Sequence, residues 1–148
     1  MKISIYAYGD SRTLTQRHDS VAASVLTNMA GDTAAQTIIL SSGDLVTHGD
    51  IETVWDDDIF GSSFTNLRTM FRLLPFQSAM GNHEESGVLF AKYFPYPFVG
   101  GRYWSYDYGN VHITVLDQYT DHSVGSAQYN WFVNDIANST KPWKIVLL

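Results

Sequence analysis

Asp10, Asp44 and Asn82 each stand directly after a glycine, and each pair follows a short apolar run. Carboxylate and amide oxygens are hard donors suited to divalent or trivalent cations. Two such cations about 3.5–4 Å apart need a carboxylate that bridges them. The third block continues as Gly81-Asn82-His83-Glu84. An imidazole beside a metal ligand can face a bound phosphate, donate a hydrogen bond to it, or protonate its leaving oxygen. Glu84 is placed to orient that imidazole, much as carboxylates orient metal-bound histidines. Together these residue types suggest metal-dependent chemistry on a phosphate ester.

Such donors need strand tips to hold them. Ile3 to Tyr8 is β-branched and aromatic and reads as a buried strand leading into Gly9-Asp10. Gln16 to Ala30 predicts a helix with Val21, Val25, Leu26 and Met29 inward, closed by Gly31. Thr37 to Leu40 is a second strand before Gly43-Asp44. Asp50 to Leu74 predicts a helix in two pieces, broken near Gly61-Ser62-Ser63 and stopped by Pro75. Trp55, Phe60, Leu67, Met70, Phe71 and Leu74 supply its inner face, and Phe76 to Met80 is the third strand. Strand alternating with helix implies parallel pairing with right-handed crossovers. Ligands in such sheets bind beyond the carboxyl ends of the strands, where all three blocks fall. The glycines let the backbone turn sharply there.

The pattern then changes. Tyr103 to Tyr108 and Val111 to Leu116 flank Gly109-Asn110, which predicts a hairpin whose two-residue turn needs positive φ. Ser126 is the expected cap of a helix carrying Trp131, Phe132 and Ile136 inward. Lys144 to Leu148 is a further strand.

The 148 residues suit one domain, with 45% apolar and 16% charged residues, a globular composition. A net charge of −6 and no run of Lys or Arg argue against a nucleic-acid backbone or an anionic membrane as partner. An acidic chain acting on an anionic substrate needs a cation in its site, which metal ions would supply. The absence of cysteine excludes disulfides, thiolate nucleophiles and Cys-ligated zinc, and fits a reducing, cytoplasmic location. A chain trimmed of a leader would read the same. No apolar run reaches the length of about 18 residues that a membrane span needs. P-loop, Gly-x-Ser-x-Gly and dinucleotide fingerprints are absent from the sequence.

Gly9-Asp10, the run from Gly43-Asp44 through Thr47-His48-Gly49, and Gly81-Asn82-His83-Glu84 resemble the first three blocks of the calcineurin-like metallophosphoesterases, a superfamily that includes the purple acid phosphatases. The segment from Tyr106-Asp107-Tyr108-Gly109-Asn110 through Leu116-Asp117 resembles the strand pair that follows, and Gln128 to Trp131 and Lys141 to Lys144 fit the next helix and strand. The resemblance covers nearly the whole chain. It implies an α/β fold: the first half of a four-layer α/β-β/α metallophosphoesterase sandwich. It also implies two divalent or trivalent metal ions (Fe, Mn or Zn), with Asp10 on the first, Asp44 bridging, Asn82 on the second and His83 on the phosphate. The implied reaction is hydrolysis of a phosphomonoester or phosphodiester by a hydroxide activated at the dinuclear centre, with a phosphorylated small molecule or other phosphoester as substrate.

Two departures bear on the site. Family members usually place a His two residues after the first Asp, or a Tyr after the second; here Arg12, Thr47 and His48 occupy those places. Arg12 divides between a phosphate contact, which its forked donors suit, and a salt bridge. His18 stands for the missing imidazole, against the plainer reading of a surface residue at a helix start. The family also continues with a His after this last strand and then a Gly-His-x-His block. The expectation is therefore a metallophosphoesterase domain over 1–148, truncated at its C-terminal end, lacking part of its ligand set and the second half of its sandwich, and weakly active or inactive alone.

Other candidates read more simply. His48 is a solvated loop histidine that could reach substrate, His112 a satisfied core or interface histidine, and His122 a loop residue near Asp117 that could line the site. Asp56-Asp57-Asp58 reads as a solvated helix face, because consecutive helical carboxylates diverge. Tyr103, Trp104 and Tyr106 read as sheet packing. Within enzymology the rival is a nuclease or cyclic-nucleotide phosphodiesterase, which the acidic charge disfavours. Outside it, the rival is a non-catalytic or inactive fragment that keeps the fold for binding.

Overall fold

The computed structural model describes residues 2–148. Strands β1 (Lys2–Tyr8), β2 (Ala35–Ser41) and β3 (Phe76–Ser78) form one parallel sheet in the order β1-β2-β3. The register places Tyr8 beside Ser41 and Ser41 beside Ser78. All three strands therefore finish on one line, and the three glycine blocks leave the same edge of the sheet.

The crossovers are helical. α1 (Thr15–Gly31) joins β1 to β2. α2 (Glu52–Trp55) runs into a π-helical turn (Asp56–Phe60), then α3 (Thr65–Leu73) leads to β3. The break at Gly61 to Phe64 falls where the sequence predicts it. Ile39, Trp55, Leu67 and Met70, all fully buried, fill the core between these helices and the sheet. Trp55 also packs on Tyr93, from α4 (Val88–Tyr93), at 5.1 Å between ring centroids.

A second sheet follows, with β4 (Trp104–Tyr108) antiparallel to β5 (Val111–Val115) and β5 parallel to β6 (Trp143–Leu147). It packs face to face on the first. Ile38, Leu40 and Ala79 meet Trp104, Val111, Ile113 and Val115 in a buried inter-sheet core. Trp104 stacks between Tyr96 and Tyr106, and the Tyr108 hydroxyl donates to the Thr37 carbonyl across the sheets at 3.2 Å. α5 (Ala127–Asn138) covers the outer face of the second sheet, its start capped by the Ser126 hydroxyl, which accepts from Tyr129 N–H. Helix, sheet, sheet and helix are the four expected layers. The second sheet contributes three strands, β4, β5 and β6.

Several local expectations change. β1 is half-buried rather than buried, because it is the edge of its sheet. Val21 is exposed, and α1 turns Ala22 and Val25 inward with His18. Gly31 is the last residue of α1, which ends at Asp32 with φ −139° and not on a left-handed glycine. β3 stops at Ser78, two residues short, as the chain leaves for the site. In the hairpin, Gly109 has φ 58°, whereas Asn110 is not among the positive-φ residues. On α5 only Gln128 is buried; Trp131, Phe132 and Ile136 are half-buried.

Candidate functional site

The loops after β1, β2 and β3 are tied together before any side chain is considered. Asp10 N–H donates to the Gly43 carbonyl at 3.1 Å, and Arg12 N–H to the Asp44 carbonyl at 3.1 Å. Gly49 N–H donates to the His83 carbonyl at 2.8 Å. The glycines permit this closeness. A Cβ on Gly43 would lie 2.2 Å from the backbone nitrogen of Gly81, and one on Gly81 would lie 2.2 Å from Asp44 Oδ1. Close approach is thus what Gly81 supplies, rather than the sharp turn expected of it. The strained conformation falls on the ligand candidates themselves: Asp10 has φ 51° and Asp44 φ 55°, in the left-handed region that aspartate tolerates better than most residues. Non-glycine residues held there mark functional sites often enough to be informative.

The side chains converge on Asp44, whose side chain is 11% exposed. Its Oδ1 accepts the His83 backbone N–H at 3.1 Å, and its Oδ2 lies 3.1 Å from Arg12 Nη1. The same Nη1 is 2.9 Å from Asp10 Oδ1. Asp10, Asp44 and Arg12 therefore form one cluster, and both carboxylates point at one cationic atom. Asn82 begins a 3-10 turn (Asn82–Glu84) against this cluster and is exposed. His83 donates from Nδ1 to the Thr47 carbonyl at 2.8 Å, which fixes its tautomer and leaves Nε2 for a ligand.

Glu84 does something other than orient His83. Fully buried, it accepts from the backbone N–H groups of Asp44 (3.0 Å), Leu45 (2.7 Å) and Gly81 (2.7 Å). Burial pushes its carboxyl above the usual range, and these three donors pull it back in part. It pins the second block to the third. Asp58 also departs from expectation. Asp56 and Asp57 are exposed, but Asp58 is buried and accepts from Thr47 N–H (2.7 Å) and Thr47 Oγ (2.9 Å). Since Thr47 holds the His83 ring, Asp58 supports His83 from behind. Its only sequence signal was an acidic run that looked solvated.

His18 lies apart from the Asp10–Asp44 cluster's hydrogen bonds. It is 4% exposed, its Nε2 meets the Tyr8 hydroxyl at 2.9 Å, and its buried Nδ1 has no partner. Burial lowers its pKa to about 4, so the ring is neutral at neutral pH, as a ligand must be. It shares a cavity of about 230 Å³ with Asp10, Ser11 and Arg17. His48 pairs with Glu85 on the surface, and exposed His122 faces the Thr120 carbonyl. Buried His112 is satisfied by Asp107 (2.8 Å) and Asp135 (2.9 Å). Sequence reasoning also missed Asp117. It is buried, accepts from Arg102 N–H, Tyr119 N–H and Thr120 Oγ, and so shapes the loop after β5. Burial raises the Tyr119 phenol, and the charges of Asp44 and Glu84 raise it further.

Among the described residues, no three His, Asp or Glu side chains come together as a complete metal cage. The donors that do meet suit a cation nonetheless: two carboxylates share one positive charge, with the Asn82 amide on the adjoining turn.

The sequence model of the calcineurin-like phosphoesterases matches residues 16–148. The chain belongs to this family. Asp10 and Arg12 precede the matched segment of this phosphoesterase domain. Among curated relatives, it is 31% identical to "Probable purple acid phosphatase 20" of Arabidopsis thaliana over 107 residues, which is 70% of this chain and 21% of that protein. It is 28% identical to "Purple acid phosphatase 18" of the same plant over 132 residues, covering 78% of this chain and 29% of that one. The structure of a purple acid phosphatase, PPD1 from yellow lupin (Lupinus luteus) seeds, superposes with a TM-score of 0.67 at 17% identity, covering 98% of this chain and 30% of that chain. The chain thus spans less than a third of the length of these plant proteins, and it shares the fold of the corresponding part of the lupin protein. No helix among the described residues is long and apolar enough to cross a membrane.

Proposed function

We propose that this domain hydrolyses phosphate esters, as a phosphomonoesterase or phosphodiesterase, around a two-metal centre. The observation that carries the reading is the convergence of Asp10 and Asp44 on a single cationic point beside Asn82 and His83. Asp10 would hold one metal, Asn82 the other, and Asp44 both. Metal ions there, Fe, Mn or Zn, would supply Lewis acidity and an activated nucleophile. His83, anchored through Nδ1 to Thr47, presents Nε2 to the substrate phosphate or to the leaving oxygen; as the imidazolium, protonated on both nitrogens, it donates a hydrogen bond or a proton there. Glu84 and Asp58 hold these groups in place without touching substrate. The net charge of −6 makes a small phosphorylated molecule a better substrate than a nucleic acid.

His18 is the proposed extra imidazole of the first metal position; metal content unchanged in His18→Ala would remove it from that role. The three hard donors and no imidazole cage among the described residues favour weak metal binding and slow turnover by this chain. Metal content and p-nitrophenyl phosphate hydrolysis, measured together on the purified protein and on Asp10→Asn, test the assignment. Slow, metal-dependent turnover that Asp10→Asn abolishes supports it. Robust turnover without added metal contradicts it. Specific phosphopeptide or nucleotide binding with no metal uptake would instead support a binding domain on the same fold.

A further inference from the structure

Arg12 occupies the place between the two carboxylates that a metal ion would need. Its Nη1 lies 2.9 Å from Asp10 Oδ1 and 3.1 Å from Asp44 Oδ2, and its own backbone is held by Asp44 O and by Leu14 N–H. A cation ligated by those two oxygens would take the same pair of acceptors that the guanidinium nitrogen now holds. The two positive groups compete for these oxygens and repel one another. Asp44 is largely buried and cannot dispense with a cationic partner, because an uncompensated buried carboxylate is strongly destabilising. Asp10, with its side chain 76% exposed, gains little from the same pair.

We propose that Arg12 is the exchangeable cation of this site. Metal entry between Asp10 and Asp44 displaces the guanidinium, which stays tethered at the rim two residues from Asp10 and there meets the oxygens of the substrate phosphate. The inference rests on the metal-site reading above and adds a competition to it. Where a neutral residue would leave the carboxylates open, Arg12 lowers metal affinity while satisfying Asp44 before metal arrives. It also makes the phosphate-binding group available only once metal is in place, since the forked donors that fit a carboxylate pair fit phosphate oxygens equally well.

The test is Zn²⁺ affinity by isothermal titration calorimetry for the wild-type chain and Arg12→Gln, with ¹⁵N NMR of the wild-type arginine side chains during the same titration. The exchange predicts Zn²⁺ binding at least about tenfold tighter in Arg12→Gln, and an Arg12 side-chain resonance that shifts in step with Zn²⁺ saturation of the wild type. Equal or weaker binding by a variant of unchanged melting temperature, or an Arg12 resonance unmoved at saturation, overturns the exchange and leaves the metal-site reading standing. Zn²⁺ binding by neither protein overturns both. If Arg12→Gln does not fold, the wild-type resonance alone decides.

Discussion

His83 and Glu84 are neighbours in sequence whose surroundings divide their work. His83 is half-exposed with one nitrogen fixed and the other free; Glu84 is sealed from solvent and spent on three backbone donors. His83→Ala should therefore lower kcat for p-nitrophenyl phosphate by about 10²–10⁴, the usual worth of a general acid, with metal content unchanged by atomic spectroscopy. Glu84→Gln should act on stability first. One of its oxygens becomes an NH₂ facing N–H donors, a loss of about 1–3 kcal/mol readable by urea denaturation. The placement of Asp10, Asp44, Asn82 and His83 in the loops that leave the strand ends was legible, because each sits in a local strand-glycine pattern. The roles of Glu84 and Asp58 were not, because the Asp44 and Leu45 partners of Glu84 lie 40 and 39 residues away and the Thr47 partner of Asp58 lies 11 residues away. Arg12 was half legible: its proximity to Asp10 in sequence was plain, but its bridge to Asp44 depends on how the first two loops meet.

At the scale of elements, the aligned ends of β1, β2 and β3 bring three short motifs into one cluster. Gly43 and Gly81 meet backbone to backbone in that assembly. Gly81→Ala puts a methyl into Asp44 and its backbone, so it should destabilise by about 1–3 kcal/mol and weaken metal binding together, measured by thermal melts and calorimetry. A second element-level device lies on the other sheet, where His112 of β5 stands between Asp107 of β4 and Asp135 of α5. Burial would lower the His112 pKa, but hydrogen bonds to Asp107 and Asp135 carry it above its ordinary 6.5. Burial would raise Asp135, but donors from Ser105, His112 and Thr114 carry it below its ordinary 3.8. A raised histidine contributes its stability fully below 6.5 and loses it as pH rises through the folded value. A depressed aspartate contributes above 3.8 and loses its share as pH falls through its own folded value. The brace is therefore strongest between 3.8 and 6.5. His112→Gln should show its largest drop in Tm in that window and a shrinking one above neutral pH. The strands, the hairpin and the helices other than α4 were legible from periodicity and turn residues; no helix was expected over Val88–Tyr93. The short β3 and the exposed Val21 were not, since both follow from where the chain leaves the sheet and how α1 and α3 pack.

The whole molecule is a two-sheet sandwich that holds a site at one edge, and its stability and its chemistry are separable. Ile113 is fully buried between the sheets, away from the ligand residues. Ile113→Ala should cost about 2–5 kcal/mol of unfolding free energy by denaturant titration while leaving metal affinity intact in the folded protein. The four-layer architecture was legible only through resemblance. Periodicity showed the first parallel sheet and a hairpin, but the packing of one sheet on the other depends on Ile38, Leu40 and Ala79 facing Trp104 and Ile113, pairs far apart in the chain. In the proposed reaction Asp44 organises the metal site, and this role can be measured. Its most direct measurement is metal retained after equilibrium dialysis against Mn²⁺ or Zn²⁺, compared between the wild type and Asp44→Asn. Saturable uptake by the wild type and at least about tenfold weaker uptake by the variant are expected, since a bridging carboxylate would serve both metals. Equal uptake by the two proteins, or none by the wild type, would contradict that role.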